Sequence, residues 1–272
     1  MSLYPVHENH RKPLPLCPCG VPKWLDALSH KQTFDLPNNS SHAPGIKSIA
    51  LICHSWYAWR MEFARLLEIV GDAPVFETGL LLAGEVNPDD VRRQLSRWTA
   101  VGRLIQLRRG IYTLAPPFQK VKPHPFVIAN ALVQPSYISL QAALAYYGLI
   151  PDYTPVTTSV TPLRQGQWQT ALGDFTFRHI QASWWHGYRQ LEVHAGQLAW
   201  IATPEKALLD LVYLEPGGDD PAYLVSLRLQ GLERLDLAVL ADLALPAGPK
   251  LQRAVRHITA LIQVRTEEYS PL

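Results

Sequence analysis

Residues 61–120 contain an ordered series of structural signals that constrains the fold more than any other part of the chain. Apolar residues recur at helical spacing from Phe63 to Val70, which predicts a first helix. The segment Val75–Ala83 predicts a second, short helix. At Asn87–Asp90 an asparagine N-cap precedes a proline and two acids, which is typical of a helix start. We expect this third helix to run to about Ala100.

Two β-rich segments follow the third helix. Arg103–Leu107 and Ile111–Leu114 predict strands, and Arg108-Arg109-Gly110 between them predicts the turn of a hairpin. Three helices followed by a hairpin is the order of a winged helix-turn-helix domain. We therefore predict such a DNA-binding domain over residues 61–120.

The charge distribution supports this interpretation. Eight Arg or Lys residues lie between Val91 and Lys122, and no Asp or Glu occurs between Asp90 and Asp152. Because the formal net charge of the chain is only +2, the residues outside this basic block carry a net charge of −6. An overall composition that is nearly neutral therefore conceals one strongly basic segment.

The third helix is expected to have one buried and one basic side. Val91, Leu95 and Trp98 fall together and should pack inward, whereas Arg93 and Arg97 fall opposite them. An arginine fork can pair with guanine or with phosphate, and the recognition helix of such a domain enters the major groove. The candidate DNA-binding residues are Arg92, Arg93, Ser96, Arg97, Arg103, Arg108, Arg109, Lys120 and Lys122.

The alternative interpretation of these arginines is a solvated helix face. Such faces normally contain interspersed acids, which residues 91–122 do not. Neutralisation of about five phosphates predicts that the logarithm of affinity falls with the logarithm of salt concentration at a slope of about −4 to −5.

Residues 1–60 differ from the rest of the chain. They contain all three cysteines, five of the ten histidines and seven prolines, and we expect them to be mostly disordered. The only methionines are Met1 and Met61, so we hypothesise that the functional protein begins near Met61. Cys17-Pro18-Cys19 lacks the spacing of a zinc half-site, and we expect neither a metal nor another cofactor.

Residues 121–272 predict a mixed α/β domain, so the whole chain is expected to be of the α+β class. Strands are predicted at Val156–Thr161, Phe175–Ile180 and Leu198–Ile201. Helices are predicted at Phe126–Val133, Leu140–Tyr147, Lys206–Leu214, Ala222–Leu229, Asp236–Leu243 and Lys250–Gln263. Ser139 and Thr203 are predicted N-caps.

The catalytic motifs that we sought are absent from the sequence. His179, His186 and His194 are the obvious titratable groups of this region, but no hydrolase, metalloprotease or nucleotide-binding spacing occurs. We expect a protein that is not an enzyme, with a nucleic-acid enzyme as the weaker alternative. The sequence has no apolar run of membrane-spanning length, no secretory signal and no disulfide framework, so we expect a cytoplasmic protein without membrane contact.

Three stretches of the chain resemble the AbiEi-type antitoxins of type IV toxin–antitoxin systems. They are 137–151 (YISLQAALAYYGLIP), 173–180 (GDFTFRHI) and 202–211 (ATPEKALLDL), and the hairpin 108–112 also fits. The resemblance covers about residues 62–265, and residues 1–60 have no counterpart in it. It implies a winged domain that binds inverted repeats in its own promoter and represses it. It also implies an antitoxin domain that neutralises a nucleotidyltransferase-like toxin from a neighbouring gene, by direct or indirect contact, without catalysis.

The aromatic segment 184–189 suits either a partner-binding surface or a protein core. Lys206 and Asp210, at i and i+4, are interpreted as a surface ion pair. The candidate partner surface comprises Arg178, Trp184, Trp185, Tyr188, Arg189, Lys206 and Asp210. The alternative function is a transcriptional regulator whose C-terminal domain binds an effector or partner, with no toxin.

Overall fold

A computed structural model describes residues 61–83, 86–151 and 155–268, with side chains to Gln263. The predictions on residues 1–60 lie outside these ranges. The described residues form a mixed α+β structure, as predicted, and belong to one compact unit. We call residues 61–120 the first lobe and residues 121–268 the second lobe. Within the described ranges, no helix is both long and apolar enough to cross a membrane.

The first lobe combines two helices with a small antiparallel sheet whose order is β1-β3-β2. Its elements are α1 (Phe63–Val70), β1 (Phe76–Glu77), a 3-10 turn (Thr78–Leu81), α2 (Pro88–Ala100), β2 (Leu104–Arg108) and β3 (Ile111–Leu114). The first and third predicted helices and the hairpin are thus confirmed.

The predicted helix at Val75–Ala83 is wrong, because this segment forms β1 and the 3-10 turn instead. Phe76 pairs with Tyr112 across the sheet, and Thr78 N–H donates to Gly110 O at 2.8 Å. This pairing buries Phe76 in the core of the first lobe. Strand pairing over more than 30 positions in sequence therefore overrides the local helical pattern.

The start of α2 has the cap that the sequence predicts. The Asn87 side chain accepts a hydrogen bond from Asp89 N–H at 2.9 Å, and Pro88 occupies the first helical position. Asp89 and Asp90 lie in the first turn, where acids interact favourably with the helix dipole. The N-cap therefore defines the first residue of α2 and, with it, which residues of the helix fall on its basic side.

Replacement of Asn87 with alanine is expected to lower the free energy of unfolding by about 1 kcal/mol, because the Asp89 N–H loses its acceptor. Urea denaturation of the full chain measures this change. Asn87→Ser, which can also cap, serves as the control and should recover most of the loss. Equal stability of the alanine and serine variants would show that the cap contributes nothing.

The second lobe is built on a six-stranded mixed sheet of order β6-β7-β5-β4-β9-β8. Its strands are β4 (Tyr137–Ile138), β5 (Val156–Thr161), β6 (Gly166–Thr170), β7 (Gly173–His179), β8 (Tyr188–His194) and β9 (Gln197–Ala202). Its helices are α3 (Pro125–Leu132), α4 (Leu140–Tyr146), α5 (Pro204–Leu214), α6 (Pro221–Ser226), α7 (Leu237–Ala244) and α8 (Pro249–Glu268). All six helices and the three predicted strands are confirmed to within a few residues. The sequence did not indicate β4, β6 or β8.

The β2–β3 hairpin lies between the two lobes. Leu104 and Tyr112 belong to the core of the first lobe, whereas Leu107 and Ile111 pack with the core of the second. The Arg108 guanidinium donates to the Leu132 carbonyl at the end of α3. The hairpin is therefore a structural joint and not a wing that projects freely.

The connection into α3 is also fixed to the sheet. The Gln197 side chain accepts from His124 N–H at 2.8 Å and donates to the Lys122 carbonyl at 3.0 Å. His124 then caps α3, since its Nδ1 accepts from Phe126 N–H at 3.2 Å. Only the neutral imidazole can accept this bond.

Stability is expected to fall as the pH drops below about 6.5, in part through His124. Burial, and secondarily His194, lowers the pKa of His124 in the folded protein. The unfolded chain therefore takes up this proton first, and stability decreases between the unfolded and the folded pKa. His124→Asn caps without titrating and should show a shallower decrease when denaturation is measured from about pH 7 to pH 5. Superimposable profiles for the two proteins would refute this role.

Candidate functional site

The two sides of α2 are divided as the sequence predicts. Val91, Leu95 and Trp98 are 5 %, 0 % and 4 % exposed, whereas Arg93 and Arg97 on the opposite side are exposed. All nine candidate DNA-binding side chains are exposed: Arg92, Arg93, Ser96, Arg97, Arg103, Arg108, Arg109, Lys120 and Lys122. The first lobe therefore presents a basic, solvent-accessible surface along α2.

Two arginines of this surface have carboxylate partners on their own helix. Arg92 pairs with Asp89 at 2.9 Å and Arg93 with Asp90 at 2.7 Å, each at spacing i, i+3. Residues 91–122 thus contain no acids, but the two acids in the first turn of α2 lie next to its arginines. Exposed pairs of this kind contribute about 0.3–0.5 kcal/mol, so a phosphate can replace the carboxylate at low cost.

The basic residues outside α2 differ in their surroundings. The Arg103 guanidinium carbon lies 4.9 Å from the centroid of the Phe63 ring, and Lys120 pairs with Asp72 at 3.0 Å. Among the described residues, no hydrogen bond or ion pair engages the side chains of Arg97, Arg109 and Lys122. These three are the basic groups that are most available to a ligand.

Arg108 does not stand at a free hairpin tip. Its guanidinium bonds to the Leu132 carbonyl and lies 5.9 Å from the Trp168 ring of the second lobe. Arg108, which the sequence places beside Arg109 at the hairpin turn, is thus exposed but held against the second lobe, whereas no such contact holds Arg109. The sequence could not show this, because the contact depends on how the two lobes meet.

The proposed surface pair Lys206–Asp210 is buried, and its interpretation as an exposed ion pair is wrong. Lys206 and Asp210 are both 0 % exposed, and Trp184, another member of the predicted partner surface, is 4 % exposed. The reason is the position of α5, which packs against α4, α7, α8 and strand β9, so that all of residues 205–212 are buried. These three residues cannot contact a partner in this conformation.

The Asp210 carboxylate accepts four hydrogen bonds. Its Oδ2 accepts from Tyr137 OH at 3.0 Å and from Ser139 Oγ at 2.7 Å. Its Oδ1 accepts from Trp184 Nε1 at 2.7 Å and from Lys206 Nζ. This carboxylate therefore ties β4, the start of α4 and the 3-10 turn Ala182–Trp184 to α5.

The Lys206 side chain is 0 % exposed, so its ammonium depends on partners within the protein. It also donates to the Trp184 carbonyl at 3.0 Å and lies 3.7 Å from the centroid of the Trp184 ring. Burial lowers the pKa of Lys206 to about 8, against the opposing effect of Asp210. Burial likewise raises the pKa of Asp210, against Lys206 and the hydroxyl and indole donors. The inaccessible cluster is thus a structural anchor.

The two predicted N-caps behave differently. Thr203 Oγ1 accepts from Lys206 N–H at 3.3 Å and caps α5 as expected. Ser139 occupies the N-cap position of α4, but its hydroxyl donates to Asp210 and makes no cap bond. A buried carboxylate is stable only when hydrogen-bond donors surround it. This requirement outweighs the preference of a serine at this position to cap the helix.

The other four residues of the predicted partner surface are partly or fully exposed. The Arg178 guanidinium is half-buried and donates to the Leu214 carbonyl at 3.3 Å, whereas Arg189 is exposed. Trp185 and Tyr188 are half-buried in an aromatic cluster around Tyr137. Of the seven residues, therefore, Arg189 and parts of Arg178, Trp185 and Tyr188 remain accessible.

His179 and His186 have different surroundings in the second lobe. His179 Nδ1 lies 2.9 Å from the Leu163 carbonyl, and burial lowers the pKa of His186. Within the described ranges, no three His, Cys, Asp or Glu side chains come together in a way that could hold a metal ion.

Neither the protein-family models nor the curated proteins include a match to this chain.

Proposed function

We propose that the chain is the DNA-binding antitoxin of a type IV toxin–antitoxin pair, which represses its own promoter and neutralises a nucleotidyltransferase-like toxin. The single observation that carries the DNA-binding half is the exposed arginine side of α2, opposite the buried side formed by Val91, Leu95 and Trp98. The helix–strand–helix–hairpin order of the first lobe supports a winged helix-turn-helix interpretation of this surface.

Binding would place α2 in the major groove. Arg93 and Arg97 face outward with the small Ser96 between them, so the helix backbone can approach the bases closely. Arg109 and Lys122 would contact phosphates beside this groove. Arg108 would act indirectly, since it fixes the hairpin on the second lobe.

The antitoxin half rests on the sequence resemblance. It is supported by a second lobe that has its own sheet and core and that leaves the α2 surface free for DNA. The Lys206–Asp210 cluster would serve this function by holding the lobe together, and the accessible Arg189 and Tyr188 would lie at the partner surface.

The DNA-binding half is tested with the full chain and a fluorescent duplex from the region upstream of its own gene. We expect tighter binding to this duplex than to a shuffled duplex of the same composition. Equal affinity for both would contradict promoter recognition. The antitoxin half is tested separately by co-expression with the neighbouring open reading frame. Growth rescue by the chain supports neutralisation, and toxicity that persists in its presence refutes it.

A transcriptional regulator with an effector-binding second lobe is the alternative function. An open cavity of 650 Å³ on the second lobe favours it. The two functions differ in the neighbouring gene, because only the antitoxin requires a nucleotidyltransferase-like toxin beside it. A regulator would repress its promoter without rescuing growth.

A further inference from the structure

Arg93 differs from the other arginines of the described basic surface, because two of its nitrogens bond to its own helix. Its Nη2 donates to the Asp90 carboxylate at 2.7 Å, and its Nε donates to the Asp89 backbone carbonyl at 3.3 Å. Both acceptors lie in the first turn of α2. The side edge of the guanidinium, which Nε and Nη2 form, is therefore occupied by α2 itself.

The outer edge of the same guanidinium stays open. Its Nη1 makes no hydrogen bond to any described residue, and its Nη2 keeps a second N–H. The side chains of Arg93 and Asp90 are 66 % and 43 % exposed, so a ligand can reach this edge. The outer edge thus offers two N–H donors in a fork whose orientation is already restricted, and less rotamer freedom is lost when a ligand binds.

The charges around Arg93 disfavour a phosphate as the ligand of this fork. Two acids of the first turn pair with Arg92 and Arg93, so these four side chains together carry no net charge. Phosphate binding gains much of its free energy from the release of counterions by unneutralised cations. A phosphate would also have to break the pair with Asp90 or lie beside its carboxylate, whereas an uncharged group can bind with the pair intact.

Guanine presents an uncharged pair of acceptors in the major groove. Its O6 and N7 lie on one edge, whereas adenine offers one acceptor and one donor there. In helix-turn-helix domains, residues near the N-terminus of the recognition helix contact the base edges. Arg93 lies in the second turn of α2, close to this end. The position of Arg93 and its open fork therefore both match a guanine in the groove.

We propose that Arg93 reads a guanine of the promoter and that Asp90 is the positioning residue that holds Arg93 for this contact. The inference rests on the proposed DNA-binding function and names the residue pair that gives it sequence specificity. Asp90 then has two opposite effects on binding. Its charge repels the phosphates of any duplex, whereas its bond to Arg93 favours only a duplex with the guanine in place.

The first test compares two substitutions that remove the same charge from the same helical turn. Asp90→Ala frees the Nη2 of Arg93. Asp89→Ala is the matched control, because it breaks only the pair with Arg92 and keeps the backbone carbonyl that accepts from Arg93. Fluorescence anisotropy of the full chain measures the affinity for the duplex upstream of its gene and for a shuffled duplex of the same composition.

The two variants should agree on the shuffled duplex and differ on the promoter duplex. Both should bind the shuffled duplex with unchanged or up to about threefold higher affinity, because one negative charge is lost. Asp90→Ala should reduce the preference for the promoter duplex about three- to tenfold, whereas Asp89→Ala should leave it unchanged. Arg93→Ala should reduce this preference at least about fivefold, the lower end for a bidentate arginine–guanine contact.

The second test removes the N7 acceptor of guanine. A promoter duplex with 7-deazaguanine in place of guanine keeps its base pairing but should bind the full chain about three- to tenfold more weakly. In Arg93→Ala this loss should be at least about twofold smaller, because the side chain that reads N7 is gone.

The proposal is overturned if Asp90→Ala and Asp89→Ala retain the same preference, or if Arg93→Ala weakens binding to both duplexes equally, as a phosphate contact would. It is also overturned if 7-deazaguanine does not weaken binding, or weakens it equally in Arg93→Ala. When the unsubstituted chain prefers the promoter duplex, these outcomes refute only the roles of Arg93 and Asp90. An unsubstituted chain that binds both duplexes equally, or neither, refutes the proposed DNA recognition and this inference with it.

Discussion

Replacement of Asp210 with alanine is expected to lower the free energy of unfolding by about 3–5 kcal/mol. The change leaves the Lys206 ammonium in a site that is 0 % exposed, with no counter-charge. It also removes the acceptor of the Tyr137 and Ser139 hydroxyls and of the Trp184 indole. A buried charge and three donors lose their partner together, which accounts for the large effect. Urea denaturation followed by circular dichroism measures it.

Glu68→Ala is the matched control, because it breaks the exposed pair Arg65–Glu68 on α1. It should change the free energy of unfolding by less than about 0.5 kcal/mol. Asp210→Asn retains the shape and one acceptor oxygen but also leaves Lys206 without a counter-charge, so it should cost about 3 kcal/mol, at the lower end of the range, and it is measured if the alanine variant does not fold. Losses below about 1 kcal/mol for both Asp210 variants would contradict the anchoring role of the cluster.

Simultaneous replacement of Arg93, Arg97 and Arg109 with alanine is expected to weaken duplex binding about 100-fold or more. Each arginine contact to a base is worth about 1–3 kcal/mol, and a phosphate contact contributes through counterion release. All three side chains are exposed, so the fold should be retained. Arg108 is left intact because its loss would release the hairpin from the second lobe. Fluorescence anisotropy of the full chain with a labelled duplex measures the change.

The control variant also replaces three exposed arginines with alanine, but at positions outside the proposed DNA-binding surface. Arg65, Arg164 and Arg256 are exposed and lie outside α2 and the hairpin, and their replacement with alanine should reduce affinity by no more than about threefold. If both triple variants lose affinity equally, net charge alone governs binding and the α2 surface has no special role. Growth rescue by the first variant in toxin co-expression would further separate the two proposed activities.

Local signals predicted the parts of the fold that depend on neighbouring residues. The cap at Asn87 and the periodicity of Val91, Leu95 and Trp98 fixed the start of α2 and its buried side. Strand β1 escaped prediction because it exists only through pairing with β3, more than 30 residues away. A strand of only two residues is too short for an alternation of buried and exposed positions to be recognised in the sequence.

The same distinction between local signals and long-range contacts applies to the candidate sites. The exposure of the α2 arginines followed from helix geometry, but the contact of Arg108 with Leu132 required knowledge of the joint between the lobes. The pair Lys206 and Asp210 has the spacing of a surface ion pair, and its burial follows from long-range contacts to Tyr137 and Trp184. The sequence does contain a local indication of burial, since the three residues between Lys206 and Asp210 are alanine and leucine and Leu211 follows.

If the basic surface of the first lobe binds duplex DNA through phosphates and bases, salt must weaken that binding strongly. The measurement is the affinity of the full chain for the duplex upstream of its gene at increasing salt concentrations. With about four to five phosphates neutralised, the logarithm of the association constant should fall with the logarithm of salt concentration at a slope of about −4. In Arg109→Ala/Lys122→Ala, which removes the two proposed phosphate contacts, the slope should become shallower by about 2. A slope near zero, or a slope that these two substitutions do not change, would contradict the account.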